Sequence, residues 1–260
     1  MKPKPARPAS PESSTQDAEP TYGVRAALAV IARRPGDVLR IAYARPARHQ
    51  GESLARWAKP RGVECREVDE PALEALAGAT HHEGLCVLAR ARRWGAPGEL
   101  AEVLVRDRGV AVALDRVRNP YNVGAILRSA AFLGVDAALL GAPAPHPGIA
   151  PDAVRVAEGG VEQLLLSRTT DLADTLARLR DRGVRIVGAD GASPVRALGY
   201  RFARPTMLVL GNEREGLGER VRACCDAVVA IPGSGAVESL NVAVAAGVLI
   251  AELVRDRLVS

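Results

Sequence analysis

The stretch GVAVALDRVRNPYNVGAILRSAAFLGVDAALLGA, residues 109–142, contains the alternation that decides the fold. Two short runs that are apolar throughout flank a helix-like segment, which begins at the turn NPYN. Strands that are apolar on both faces are typical of a parallel sheet covered by helices on both sides. The stretch therefore predicts a strand–helix–strand unit of an α/β fold.

The same alternation continues towards the C-terminus. VRIVGAD, TMLVLGN and AVVAIPG are apolar runs that each end in glycine or a polar residue. The segment DLADTLARLRDRG places Leu172, Leu176 and Leu179 on one helical face, and SLNVAVAAGVLIAELVRDRL predicts a long closing helix. The pattern over residues 110–260 predicts one domain built on a mostly parallel, buried sheet.

A smaller block precedes this domain. Residues 21–94 alternate helix-like and strand-like segments and predict a small α/β domain, followed by a linking segment with a helix over 95–109. Residues 1–20 are rich in proline, serine and charge and have little to bury, so they predict a disordered tail.

The net charge of +5 is unevenly distributed along the 260 residues. Residues 21–94 carry thirteen basic and eight acidic side chains, whereas the rest of the chain is balanced. If the partner is a polyanion, the small block is the better candidate for binding it non-specifically; the alternative is a solvated basic surface.

Several classes of protein are disfavoured by the composition. No apolar run reaches the roughly 18 residues that a membrane-spanning helix needs, and the charged N-terminus lacks the apolar stretch of a secretory signal. The four cysteines form no CxxC pair, which favours reduced thiols in the cytoplasm over disulfides or a metal site. A cytoplasmic location without metal is therefore predicted.

Two strand ends in the C-terminal domain carry unusual polar residues. In LDRVRNPYNVGAILRSAAFLG, Pro120 fixes the turn, Asn122 can cap the helix, and Arg128 lies about one turn beyond Gly124. In LVLGNEREGLGERV, an apolar run ends at a glycine, which lets a ligand approach the backbone, and Glu213 follows. Each segment alone is also compatible with a simple turn and helix cap.

A third strand end reads AIPGSGAVESLNVAVAAG. A glycine-rich loop follows Ile231, and Ser239 and Asn241 flank Leu240 at the start of the last helix. Polar groups at a helix start suit a ligand with carboxylate and ribose groups, although a capped helix is the alternative. Neither a GK[ST] phosphate loop nor a GxGxxG fingerprint is present, so common nucleotide-binding sites are not supported.

Together, NPYNVGAILRSA, LGNEREGLG and IPGSGAVESLNVAVAAG resemble the three motifs of the SpoU/TrmH family of RNA ribose 2′-O-methyltransferases, in the SPOUT superfamily. THHEGLCVL in the small block resembles a strand of the L30e-like substrate domain of some members. Gly233 departs from the methionine that many members have there.

The resemblance implies S-adenosylmethionine as cofactor, rRNA or tRNA as substrate, a homodimer and a trefoil knot in the C-terminal domain. It also implies a set of site residues by motif position. The acceptor side and catalysis would involve Asn122, Arg128, Glu213, Ser239 and Asn241, and the cofactor would contact Leu210, Gly211, Ile231, Ser239 and Leu240.

The resemblance leaves two alternatives and one role open. The chain could be a SPOUT enzyme that methylates a base, or an RNA-binding or ribosome-assembly protein without catalysis. Family members are proposed to use the arginine at the Arg128 position as general base. A guanidinium holds its proton up to a pKa above about 12, so Arg128 is better suited to orienting the acceptor.

Overall fold

The computed structural model describes residues 18–258. The predicted tail therefore lies mostly outside the described residues. Its C-terminal end is an exception, because Ala18 and Glu19 pair with Arg90 and Ala89 in a sheet. The tail boundary at residue 20 is thus corrected: backbone pairing orders residues that have little apolar surface of their own.

The N-terminal part forms a four-stranded sheet between helices. Its strands run in the order β1-β4-β2-β3, with β2 and β3 parallel and the other pairs antiparallel. Neighbouring residues Ile41 and Ala42 point to opposite faces, and each belongs to a different core. Helices α1 and α2 cover the first face and α3 the second. The elements are β1 Ala18–Tyr22, α1 Val24–Arg33, β2 Val38–Tyr43, α2 Arg48–Ala58, β3 Glu64–Glu67, α3 Glu70–Ala77 and β4 Leu85–Arg90.

The C-terminal part forms a six-stranded sheet in the order β10-β8-β9-β5-β6-β7, in which every pair is parallel. This confirms the predicted parallel sheet. The elements are α4 Pro97–Asp107, β5 Val110–Asp115, α5 Pro120–Phe132, β6 Ala137–Gly141, α6 Pro151–Val156, β7 Leu165–Thr169, α7 Leu172–Asp181, β8 Arg185–Ala189, β9 Thr206–Leu210, α8 Glu219–Ala223, β10 Ala227–Val229 and α9 Val242–Leu258.

Helices cover both faces of the larger sheet. Helices α5, α6 and α9 pack on the face that presents Val112, and α4, α7 and α8 on the face that presents Ala113. Helix α4, within the predicted linking segment, buries Leu100 and Leu104 in the second of these cores. The strands are apolar throughout because both of their faces are buried.

Strand order places the candidate site. Strand β5 is central, β6 and β7 extend to one side of it, and β9, β8 and β10 extend to the other. Ligands bind in such sheets beyond the carboxyl ends of strands, where the order reverses. That point lies between β5 and β9, whose following loops carry two of the three motifs. The trefoil knot stays a prediction.

The two sheets are joined by a polar contact at α6 and the residues after it. The Tyr22 hydroxyl donates to Asp152 over 3.0 Å, and burial, followed by this hydrogen bond, raises the pKa of Tyr22 to about 12. Glu162 accepts from Arg34 at 2.9 Å and from Arg92 at 3.2 Å. These residues tie the small sheet to the large one.

Replacing Arg92 with methionine is expected to lower the free energy of unfolding by about 2 kcal/mol, because buried Glu162 loses one of its two charged partners and keeps only Arg34. The Arg92 and Glu162 side chains are only 7% and 5% exposed. The control is Arg93→Met, which removes a pair whose arginine is 79% exposed and should cost less than about 1 kcal/mol. Urea unfolding measures both; equal effects would contradict the prediction.

Candidate active site

The β5–α5 turn presents Asn122 towards the site. Asn119 caps α5 by accepting from the nitrogens of Tyr121 and Asn122, at 2.9 and 3.4 Å. The prediction that Asn122 caps this helix is therefore wrong. Pro120 occupies the first helical position, so the residue before it, Asn119, is the cap. The Asn122 side chain therefore remains available for other contacts.

The loop after β9 closes on itself. A Cβ on Gly211 would lie 2.6 Å from the Leu217 nitrogen and closer still to the carbonyl of Gly216, so only glycine fits there. Asn212 and Gly216 exchange backbone hydrogen bonds of 3.1 and 2.9 Å, and the Asn212 amide donates to the Arg116 carbonyl at 3.0 Å. The loop is thereby fastened to the β5–α5 turn.

The third motif ends at the start of α9. Residues 232–241 are all exposed, and Asn241 accepts from the nitrogens of Ala243 and Val244 at 2.8 and 3.3 Å. Asn241 therefore caps the last helix. Its carbonyl oxygen is occupied by this role, so its amide nitrogen is the group that faces the site.

The three motifs meet in one chain of side-chain hydrogen bonds. The Asn241 amide donates to the Asn122 carbonyl oxygen at 3.1 Å, and the Asn122 amide donates to a Glu213 carboxylate oxygen at 2.5 Å. The cap fixes the orientation of Asn241, which fixes that of Asn122, so Glu213 must accept. The site thus holds a carboxylate whose second oxygen remains available for a proton or a hydroxyl group.

Arg128 lies apart from this chain of hydrogen bonds. Its guanidinium pairs with Glu158 at 2.8 Å, and Glu158 also pairs with Arg25 of α1 in the small sheet. Gly159 and Gly160 follow, and a Cβ on either would clash with α1 or α5 respectively. The Arg128 side chain is 51% exposed, so it can also meet an anionic ligand.

The remaining predicted residues surround the loops. Leu210 is buried at the end of β9, and Ile231 is partly buried against the same core. Ser239 and Leu240 are exposed. The structure therefore brings Asn122, Glu213 and Asn241 into direct contact, while the roles of all ten assignments stay predictions.

Two residues that position the loops were not predicted. Buried Asp115 accepts from the Gly218 nitrogen at 2.7 Å, and Arg116 binds Asp115 at 3.1 Å as well as Glu215. The hydrogen bond to Asp115 is the main cause that raises the pKa of Arg116, which therefore stays charged. The available signal was an acidic and a basic residue directly after an apolar run, in ALDR.

The described part of the chain has neither a metal-binding cluster nor a membrane-spanning helix. Between residues 18 and 258, no group of three or more histidine, cysteine, aspartate or glutamate side chains is placed to hold a metal ion. Among the helices of the same range, none has the length and apolar character required to cross a membrane. All four cysteines are free.

Comparison with known proteins identifies the family. Residues 109–251, which contain all three motifs, match the SpoU rRNA methylase family. This chain belongs to that family. A 23S rRNA (guanosine-2′-O-)-methyltransferase, RlmB, of Shewanella oneidensis is 32% identical over 239 residues, which cover 91% of this chain and 96% of the relative. An uncharacterized tRNA/rRNA methyltransferase of Mycobacterium avium is 32% identical over 96% of this chain and 81% of its own length.

Solved structures of SpoU family members share the fold. The SpoU methyltransferase AviRb from Streptomyces viridochromogenes, in complex with the cofactor AdoMet, aligns with a TM-score of 0.78 at 25% identity. The alignment covers 94% of this chain and 92% of AviRb. The similarity therefore extends over both sheets, including the small N-terminal one.

Proposed function

We propose that this SpoU family member transfers the methyl group of S-adenosylmethionine to a ribose 2′-hydroxyl of rRNA or tRNA. The observation that carries the proposal is the hydrogen-bonded chain from Asn241 through Asn122 to Glu213, set among three loops at the carboxyl ends of strands. The activity in the name of the Shewanella relative supports the same reaction.

The residues fit S-adenosylmethionine. Gly211 lets the loop after β9 close on itself at the end of the sheet, so that this loop offers backbone groups, and exposed Leu240 offers apolar surface in the third motif. A mixture of backbone groups and apolar side chains suits a nucleoside with a thioether-like chain. Leu210, Gly211, Ile231, Ser239 and Leu240 would hold it, and when bound it supplies a methyl group on a sulfonium, which is already activated for transfer.

The chain's own residues would align the acceptor and remove its proton. Asn122 and Asn241 hold Glu213 in one orientation, with one oxygen engaged and the other available. The 2′-hydroxyl would donate to that free oxygen, its oxygen would form the new bond to carbon, and the proton would pass to Glu213. The sulfur takes the electron pair of the bond that breaks.

Arg128 would orient the RNA instead of acting as a base. A guanidinium is a hydrogen-bond donor that cannot accept a proton, and that of Arg128 is paired with Glu158 at 2.8 Å. A phosphate group of the RNA could replace or join Glu158 at the exposed guanidinium. Because Glu158 also binds Arg25, docking of the small sheet on RNA and placement of Arg128 would be linked.

Replacing Arg128 with alanine is expected to lower kcat/KM for RNA by about 10- to 30-fold, the loss of one exposed charge-assisted contact. Lysine at this position should restore only part of the lost kcat/KM, because its ammonium group lacks the planar guanidinium that can donate two parallel hydrogen bonds. The affinity for S-adenosylmethionine, measured by calorimetry, should be unchanged. Full turnover with unchanged RNA affinity would contradict both an orienting role and a role as base.

The N-terminal domain would bind RNA through basic side chains on and around α2. Exposed Arg45, Arg56 and Lys59 lie on and around α2, and none of them forms an ion pair with a residue in the range 18–258. Unpaired basic side chains bind phosphates by releasing counterions. The assignment of residues 21–94 as an L30e-like substrate domain rests on this surface and on the sequence resemblance.

The protein would act as a homodimer. Helices α5 and α9 pack together and present exposed apolar side chains, among them Tyr121 at the start of α5, 55% exposed, and Phe132 at its end, 87% exposed. Large exposed apolar groups of this kind mark interaction surfaces. A second copy would cover them, and sedimentation equilibrium of the wild-type chain measures the oligomeric state.

The test of the function is methylation of defined RNA. Transcripts of 23S rRNA and of tRNA are incubated with the protein and S-adenosylmethionine, and the nucleosides are analysed by mass spectrometry. A 2′-O-methyl nucleoside is the expected product. The proposed site of the reaction is the cytoplasm. A methylated base would instead identify a base-modifying enzyme, and no product with intact RNA binding would identify a binding protein.

A further inference from the structure

A cavity lies next to the candidate active site, at the β5–α5 turn. It has a volume of about 320 Å³ and opens beyond the carboxyl ends of β5 and β6. Pro120 and Val123, in the first turn of α5, form one wall, and the loop 142–150 forms the opposite wall. Asn122 lies between Pro120 and Val123 in the sequence, so the cavity adjoins the proposed acceptor site.

The lining of the cavity suits a flat, mostly apolar ring. Leu114, Leu140, Ile149 and proline side chains dominate it. Its volume is at the small end of the roughly 300–1,000 Å³ of ligand pockets, which suits a nucleobase better than a larger ligand. The cavity therefore favours a ligand that is small, flat and mostly apolar.

His146 gives the cavity a rigid aromatic wall. Its Nε2 contacts the Leu140 carbonyl oxygen at 3.0 Å, and its Nδ1 accepts from the Gly148 nitrogen at 3.0 Å. Both ring nitrogens are thus engaged by backbone groups, one of β6 and one of the loop, with Nε2 carrying the proton. Trp94 packs edge-on against the ring, with 6.1 Å between centroids. The wall is formed before any ligand binds.

Two arginines line the cavity, and they differ in how they are held. Arg116 is bound by Asp115 and Glu215 and fastens the loops. Arg118 is exposed, and it makes no hydrogen bond or ion pair with any residue from 18 to 258. An unpaired guanidinium beside an apolar pocket is suited to the phosphate attached to a nucleotide whose base enters the pocket.

We propose that this cavity receives an unstacked nucleobase of the RNA substrate, with Arg118 on the adjoining phosphate. The proposal rests on the proposed RNA methylation and adds a binding site to it. Sequence-specific recognition of RNA generally uses bases that leave the stack and lie against aromatic side chains. A base held beside α5 would also fix the position of its neighbouring ribose near Asn122.

The experiment fills the cavity from the two ends of the loop 142–150, with Ala142→Phe and Ala150→Phe. Either variant should lower kcat/KM for the rRNA or tRNA transcript that the wild-type protein methylates, by about 5- to 150-fold. This is the range for loss of the stacking of one base on an aromatic group. Arg118→Gln should weaken RNA binding and reduce its dependence on salt. The affinity for S-adenosylmethionine should stay within about twofold of wild type in all three, a change worth under about 0.5 kcal/mol.

Matched controls come from the amino ends of the strands, opposite the carboxyl ends where the cavity opens. Ala203→Phe and Arg201→Gln change exposed residues of the same types before β9, and neither should alter RNA kinetics. As a readout that needs no variant, transcripts containing 4-thiouridine or 6-thioguanosine are photo-crosslinked to the wild-type protein. Crosslinks are expected on the peptide that contains residues 142–150.

Two results would overturn the proposal. One is unchanged kcat/KM in both folded phenylalanine variants together with no crosslink to residues 142–150. The other is loss of S-adenosylmethionine binding with intact RNA affinity, which would assign the cavity to the cofactor. If the wild-type protein methylates no ribose, the proposed function fails, and the crosslink still tests whether RNA enters the cavity.

Discussion

Replacing Gly211 with alanine is expected to weaken the binding of S-adenosylmethionine and to lower the rate of methyl transfer by about 100-fold or more, since displacements near 1 Å at such a site cost that much in rate. The new Cβ would lie 2.6 Å from the Leu217 nitrogen and against the Gly216 carbonyl, and these are backbone atoms that cannot turn aside. The loop must open, which also moves Glu213 away from Asn122. Isothermal titration calorimetry and steady-state kinetics measure the two effects.

Gly191→Ala is the matched control for this substitution. Gly191 follows β8 at the same edge of the sheet, yet a Cβ there meets no atom within 4 Å. The control should bind S-adenosylmethionine like the wild type, with a small change in stability. Equal affinities for the Gly211 and Gly191 variants would show that the closed loop after β9 is not needed for cofactor binding.

Replacing Asn122 with aspartate is expected to lower kcat by about 100- to 1,000-fold, the usual cost of losing one preorganised donor. The Asn122 amide donates to Glu213 at 2.5 Å, and the substitution puts two carboxylates in that contact. Like charges at this distance favour a shared proton, which raises the pKa of the pair. Activity relative to the wild type should therefore recover partly as the pH falls, because the proton restores a donor.

Two comparisons make the result specific. Asn122→Ala should lose activity without the relative recovery at low pH, because it brings no second carboxylate. Asn119→Asp adds the same charge three residues earlier, but aspartate caps a helix as well as asparagine does, so activity should be nearly unchanged. If the Asn122→Asp variant had the pH profile of the wild type, contact between Asn122 and Glu213 would not matter for turnover.

The identity of this protein followed from the order of its motifs, whereas the mechanism depends on which of their atoms meet. Each motif alone is compatible with a turn and a capped helix, and only their order along the chain pointed to one family. The structure then separated the five predicted catalytic residues. Asn122, Glu213 and Asn241 form one hydrogen-bonded chain, Arg128 pairs with Glu158, and Ser239 is exposed.

The elements that the sequence did not predict are short or lie at an edge. Helix α6 and strand β7 fall within residues 151–169, and neither has a clear period of its own. Packing stabilises them: α6 lies against α5, where Gly124 approaches the Ala153 carbonyl, and β7 pairs with β6. Such contacts have no signature within a short window of sequence.

By itself, the sequence determined the parallel sheet, because strands buried on both faces must be apolar throughout, as in VAVALD of β5. It also determined the three motifs and their places at strand ends. Only the tertiary structure decided that β5 and β9 are neighbours, which joins Asn122 to Glu213 across 91 residues of chain. Periodicity reports the surroundings of each residue along its own element, but strand order depends on how distant segments pack. The partner of Arg128 and the cavity beside α5 were decided in the same way.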